Sequence, residues 1–423
     1  MKRLQGLMVG VMGVFLALFM PLVGGAEAKD VIKIGFMGNL ASPSSLSSRA
    51  AAQLAVDEMN DAGGILGHEV SLIIEDTKGE IPKCVEIYKK LVMREKVLAV
   101  VIAEKVEMGA AGMEIGAELY PEFPHIFFST IGSGDVIWHR VRDDYGKYRF
   151  GFQTYYSIST NYLKVWAHLV AEMAKEHVKA KKIAQIFEDM DWTNPLRKGL
   201  KGVSPRLSEV YKQLGLDPVY ETTVSLDQKM FTSVFEEIAA SGAQFIDAAV
   251  GYIDEAALIK QWAQSSAKDI PMHIWGGLAG MPAAWNITQG KCAGIMIGSS
   301  MVRVPITEKT IPFIDNMQKR FKMGAIFGAH TTYDTLAGFK KALEQAGSVK
   351  DIEAIIKKLE SVEEVAVLGT IGWDPKLHFN LPYPKYITPT VQWQTIDGKG
   401  QMVVIFPPKY AQKPYVSPVE ARK

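Results

Sequence analysis

A chain of 423 residues with an apolar fraction of 48% has the material for sizeable cores, and its length suggests roughly two or three domains. The net charge of +1 excludes any bulk electrostatic attraction to nucleic acid or to an anionic membrane surface. Cys84 and Cys292 are the only cysteines; sequence separation alone does not say whether they pair or stay as two buried thiols. No CxxC or Cys/His spacing is present, so no metal or other cofactor is expected.

In chain order, Lys2 and Arg3 come first, followed by an apolar run from Leu7 to Val23 and by Ala26-Glu27-Ala28. This is the pattern of a secretory signal peptide, with cleavage expected after Ala28. An uncleaved anchor is the alternative, but the run falls slightly short of the ~20 apolar residues that a span needs. No Cys lies near the cleavage site to carry a lipid, and no later stretch is apolar enough to span. The mature chain is therefore expected to be soluble and exported.

Short β-rich runs then alternate with helical patterns. Val31 to Phe36 reads as a strand and Ser47 to Asn60 as a helix, which Gly63-Gly64 can end with a left-handed cap. Glu69 to Glu75, Val97 to Ala103 and His125 to Ser129 read as strands. Helices are expected from about Pro82 to Arg94 and from about Met108 to Leu119. Four strand–helix repeats in ~100 residues imply a parallel sheet with helices on both faces. The pattern restarts near Phe152. Tyr162 to Lys175 and Leu196 to Leu214 read as helical, the second mostly so. Lys182 to Phe187, Pro218 to Val224, Phe245 to Val250, Met272 to Trp275 and Ala293 to Ser300 read as strands. Helices return at Thr310 to Phe321 and Thr331 to Gln345. Gly369 to Pro408 reads as irregular chain with strands at its end.

Enzymatic signatures are missing. No GxxxxGK[ST] loop is present, and Gly132-Ser133-Gly134 meets Ile137 where a dinucleotide fingerprint needs its third glycine. No serine stands in GxSxG, and His68-Glu69 has no second histidine at the zinc-hydrolase offset. Asp143-Asp144 reads as solvated surface. Catalytic groups can converge from distant segments, but the prior for an enzyme falls.

Several stretches resemble the leucine/isoleucine/valine-binding family of periplasmic proteins. They are Val31-Ile32-Lys33-Ile34-Gly35, the loop with Gly38, Pro43 and Ser44, and Asp57 to Gly67 with its Asn-x-x-Gly-Gly-Ile-x-Gly signature. Phe127 to Thr130, Ile183 to Asp189, Gly251-Tyr252, Trp275-Gly276-Gly277, Tyr333-Asp334 and Gly372-Trp373-Asp374 are similar as well. The resemblance implies an α/β fold of two Rossmann-like lobes, with parallel sheets flanked by helices and a three-crossover hinge. It places residues 29–152 with about 302–365 in one lobe, and 153–301 with about 366–423 in the other. It implies a non-enzymatic, monomeric periplasmic receptor. This would pass a small amino acid, amide or organic acid to an ABC permease in the inner membrane, by hinge closure. A ligand-sensing module for a membrane receptor is the alternative; an enzyme on the same scaffold is the third.

Ligands of open α/β sheets sit beyond the carboxyl ends of strands. From the first lobe, Ser44, Ser129, Thr130, Gly132 and Ser133 are expected to present donors beside Glu107. From the second lobe, Tyr155, Trp192 and Tyr252 are expected to close over the ligand. Tyr155, Tyr156, Trp192, Tyr252 and Trp275 together suggest a pocket for an apolar or aromatic body; core packing is the alternative for each alone. The resemblance also shows departures. Members that bind α-amino acids usually offer a serine pair after the third strand, where this chain has Glu104-Lys105-Val106-Glu107-Met108-Gly109. They usually place a Glu where Leu278 stands here.

Overall fold

The computed structural model describes residues 30–131, 136–155, 167–199, 204–299, 302–326, 328–381 and 385–423. The expected signal segment, Tyr156 and the candidates Gly132 and Ser133 lie outside them.

The first sheet is built from β1 (Ile32–Gly38), β2 (Val70–Asp76), β3 (Ala99–Ala103), β4 (Ile126–Ser129) and β5 (Gly151–Gln153). Its order is β2-β1-β3-β4-β5, and every pairing is parallel. Central strands of a parallel sheet are covered on both faces and read as continuous apolar runs. The Ala-Val-Val-Ile-Ala of β3 meets that demand, with all five residues buried. Helices α1 (Pro43–Asp61), α2 (Ile81–Lys89) and α3 (Val106–Leu119) follow β1, β2 and β3.

The second sheet holds β6 (Lys182–Glu188), β7 (Asp217–Val224), β8 (Phe245–Ala249), β9 (Met272–Trp275) and β10 (Met296–Gly298). Late in the chain it gains β13 (Thr390–Ile396) and β14 (Lys399–Phe406), giving the order β14-β13-β10-β9-β8-β6-β7. The five earlier strands run parallel, whereas β13 and β14 form an antiparallel edge. The chain thus forms two α/β lobes.

Three passages join the lobes. The first leaves β5 for the helix Ala167–Glu176. The second leaves β10 for the helices Thr310–Phe321 and Ala329–Ala346, which return to pack on α1. Arg320 to Asp57, Asn316 to Glu58 and Tyr333 to Glu58 pin that return. The third follows a small hairpin of β11 (Glu364–Ala366) and β12 (Gly369–Ile371). Trp373 packs against Phe128 and Phe152, and Phe379 bridges to Gln153. Trp373 and Phe379 therefore lie against the first sheet, ahead of the passage to β13.

The helix expected across Leu196 to Leu214 is broken. It consists of Asn194–Lys198 and Leu207–Gln213. Gly199 has φ +73°, and Arg206 is extended after Pro205. A left-handed glycine and a proline stop helix propagation where apolar spacing alone suggested continuity.

Candidate ligand-binding site

Strand order locates the site. In the first sheet the order reverses between β1 and β3; in the second it reverses between β6 and β8. Loops leaving adjacent strands at such a point diverge to opposite faces and open a crevice at the carboxyl edge. The loops at both reversals face a common cavity of about 180 Å³.

From the first lobe the wall takes Ser44, Lys105, Val106, Glu107 and Ile131. From the second it takes Met190 and Trp192 after β6, Gly251 and Tyr252 after β8, and Trp275, Gly276 and Gly277 at the end of β9. Tyr155 enters from the first crossover. Five of the nine residues singled out from sequence, Ser44, Glu107, Tyr155, Trp192 and Tyr252, are thus in the wall. Ser129 and Thr130 lie behind it, fully buried. The Thr130 hydroxyl bonds Thr332 at 2.8 Å, and the Thr331 hydroxyl donates to the Thr130 carbonyl at 2.6 Å. These contacts tie β4 to the returning helix Ala329–Ala346.

Two buried carboxylates organise the second-lobe wall. Glu188 ends β6. One oxygen accepts the Trp192 indole N–H at 2.6 Å. The other accepts the backbone N–H groups of Gly251, Tyr252 and Ile253 at 2.8, 2.7 and 3.3 Å. One side chain thereby joins the loop carrying Trp192 to the loop carrying Tyr252. Glu255 does the same one strand further on, accepting from the N–H groups of Leu278 and Ala279 at 2.8 and 2.6 Å. Its carboxyl is pushed up to about 7, first by burial and against the pull of those amides, with Glu188 adding to the rise. Leu278 occupies the position where the resemblance would put a ligand-facing Glu, and its N–H serves this internal carboxylate.

On the first-lobe side, Ser45 donates to the Ala103 carbonyl at 2.7 Å. Glu104 is buried, taking the Thr77 hydroxyl and, at 3.3 Å, the N–H of Lys105. Lys105 reaches across the cleft, with its Nζ 5.7 Å from the centre of the Tyr252 ring. The Tyr252 hydroxyl is pushed up to about 12, by burial first and then by the charges of Glu188, Glu107 and Glu104.

Glu188, Glu255 and Lys105 escaped the sequence reading. For Glu188 a signal existed: a carboxylate ending the apolar run Ile183 to Phe187, four residues before a Trp. Among the described residues no group of three or more His, Cys, Asp or Glu could hold a metal ion, and no helix is long and apolar enough to cross a membrane.

Comparison with known proteins gives a consistent picture. The sequence pattern of a family described as periplasmic binding protein matches residues 31–383. No curated protein matches in sequence. Among solved structures, the chain is similar to a candidate branched-chain amino acid ABC transporter protein from Silicibacter pomeroyi. The TM-score is 0.77 at 18% identity, over 91% of this chain and 98% of that one. It is similar to the branched-chain amino acid transporter substrate-binding protein LivJ from Streptococcus pneumoniae, solved with isoleucine. Here the TM-score is 0.67 at 19% identity, over 89% of this chain and 100% of that one. A third likeness is a solute-binding protein of an ABC transporter from Rhodopseudomonas palustris, solved with 3,4-dihydroxybenzoic acid. Its TM-score is 0.67 at 14% identity, over 92% of this chain and 98% of that one. Identities this low establish the shared fold.

Proposed function

The chain belongs to the periplasmic binding protein family, and from that premise we propose that it is the extracytoplasmic receptor of an ABC importer. It is exported with cleavage after Ala28, acts as a monomer without catalysis, captures a small organic molecule and delivers it to an inner-membrane permease. The observation that carries this reading is the single cavity shared by the loops at both sheet reversals, one set from each lobe. A solute there touches both lobes at once and so stabilises their closed arrangement over the open one. This differential contact is what a hinge needs from its ligand. The relatives solved with isoleucine and with 3,4-dihydroxybenzoic acid support a solute of that size. The wall supports an apolar or aromatic body with a polar end: it includes the rings of Trp192, Tyr252, Trp275 and Tyr155 and the thioethers of Met190 and Met281, with Ser44 and Glu107 among its polar members.

The test uses exported protein, whose intact mass reads the cleavage site, freed of bound solute by unfolding and refolding. Amino acids, amides and small organic acids are screened by thermal shift and calorimetry. A ligand held at about 100 times its Kd raises stability by roughly 2.7 kcal/mol, and the radius of gyration falls as the lobes close. Trp192→Ala weakens that binding by about 1–3 kcal/mol, as for a packed aromatic anchor. A chain on which no small solute of any class acts is not a solute receptor.

A further inference from the structure

Four carboxylates stand around the cavity: Glu104 and Glu107 from the first lobe, Glu188 and Glu255 from the second. Glu107 is in the wall itself. Glu188 touches Trp192, Gly251 and Tyr252, which are also in the wall. Glu255 lies directly behind Gly276, where an added Cβ would come within 2.6 Å of its carboxyl. Glu104 immediately precedes Lys105 and is bonded to that residue's N–H. The donors that reach these groups are an indole, a hydroxyl and backbone amides, all of them neutral. Among the described residues none of the four forms an ion pair, although exposed carboxylates elsewhere on the molecule do. The negative charge of Glu104, Glu107 and Glu188 therefore concentrates where the described residues supply little to balance it, and Glu255 adds less because burial raises its carboxyl to about 7.

Lys105 is the one cationic side chain in the described wall, and its ammonium lies over the face of Tyr252. The negative face of an aromatic ring attracts a cation, most strongly for Trp and when the pair is shielded from water. Trp192 is primed for this. Its N–H donates to the Glu188 carboxylate, and such a charge-assisted bond polarises the indole and enriches its face in electrons. An anionic solute would meet these carboxylates with a single lysine to offset them. An ammonium would meet electron-rich ring faces, two thioethers and the open carboxylate of Glu107.

Resting on the solute-receptor reading, we propose that the cavity takes a small organic ammonium cation. It is seated among the faces of Trp192, Tyr252 and Trp275 with Glu107 as its charge partner, and it displaces the Lys105 ammonium from Tyr252. Lys105 is then the residue that sets affinity, because it competes with the ligand for the same ring.

The test is calorimetry and thermal shift on the mature, solute-free protein. The probes are choline, tetramethylammonium and phenethylammonium. The controls are 3,3-dimethylbutan-1-ol, the neutral carbon isostere of choline, together with benzoate and L-leucine. At least one ammonium is expected to raise the Tm, and choline to bind roughly tenfold or more tightly than its isostere. Lys105→Gln is expected to tighten ammonium binding and Glu107→Gln to loosen it, each by several-fold. The sign of the lysine effect decides the matter. Lys105 is exposed, so its variant folds whether or not Glu107→Gln does. Weaker binding in Lys105→Gln, or binding of benzoate or leucine with none of the ammonium ions, overturns the proposal and leaves the solute-receptor reading standing. If no amino acid, amide, acid or ammonium acts on the protein, both fall together.

Discussion

Glu188 and Glu255 show how much a single residue decides here. Each is buried, and each answers backbone amides from a loop distant in sequence, which lets the second-lobe wall assemble before any ligand arrives. The two differ in electrostatics. Glu255 has its carboxyl raised from 4.5 to about 7, with burial the largest cause. An acid whose folded value lies above its unfolded value holds its proton more tightly when folded. Its contribution is complete below about 4.5 and is lost as pH rises through about 7. Asp334, a buried residue of the returning helix, is raised from 3.8 to about 7, first by burial, and acts in the same direction. These two carboxyls should therefore withdraw stability between pH 5 and pH 7.5, on the order of a few kcal/mol, while the buried imidazoles of His125 and His330, lowered by burial to about 4 and about 3, act in the opposite direction as pH rises to 6.5. Urea midpoints across that range measure the net effect. The difference isolates Glu255: relative to the parent protein Glu255→Gln should gain stability as pH rises from 5 to 7.5, and an unchanged difference would show that the carboxyl titrates normally.

At the scale of elements, α3 joins the core to the site. Its first turn carries Glu107 into the cavity wall, while its later turns lie close on the sheet. That approach depends on Gly112 and Gly116. A Cβ at Gly116 would come within 2.6 Å of the Tyr88 hydroxyl and 2.7 Å of the Phe150 ring. Both rings are fully buried, and Tyr88 is bonded to His125 at 2.8 Å. Alanine gains ~1 kcal/mol of helix propensity over glycine, but overpacking a rigid aromatic layer costs about 1–3 kcal/mol. Gly116→Ala should lower the Tm. A rise would mean that the aromatic layer yields easily, and that the helix could shift to move Glu107.

At the scale of the whole molecule, the chain passes three times between two lobes, each built on its own sheet. Cys84 lies in the first lobe, with its thiol against the Met108 carbonyl, and Cys292 lies in the second. Both are free and buried. Burial pushes their thiols up to about 12 and about 11, so little thiolate forms at physiological pH. The folded protein should take up no iodoacetamide at pH 8, whereas the denatured chain takes up two equivalents by intact mass. Reductant should leave the Tm unchanged, and a lowered Tm would reveal a bond between the two cysteines.

Local sequence by itself determined the alternation of strands and helices. Parallel strands covered on both faces read as apolar runs, as β3 does throughout, and turn residues such as Gly63-Gly64 punctuate them. It also made Trp192 visible, because a large ring in a polar loop after a strand has no local core to join, whereas Tyr252 stands out through the family resemblance. What only the tertiary structure decided was which polar groups face one another. From sequence, Ser129 and Thr130 are expected to be ligand donors; both are buried, and the returning helix some 200 residues later takes up the Thr130 bonds. Glu188 falls just beyond the strand expected to end at Phe187, yet its amide partners lie 63 to 65 residues on. Lys105 acquired its role only when the other lobe brought Tyr252 beneath it. Apolar periodicity is a local property, set by which face of each element is buried. The pairing of a charge with its donor depends on the path of the whole chain, and it exists only once the lobes have folded and met.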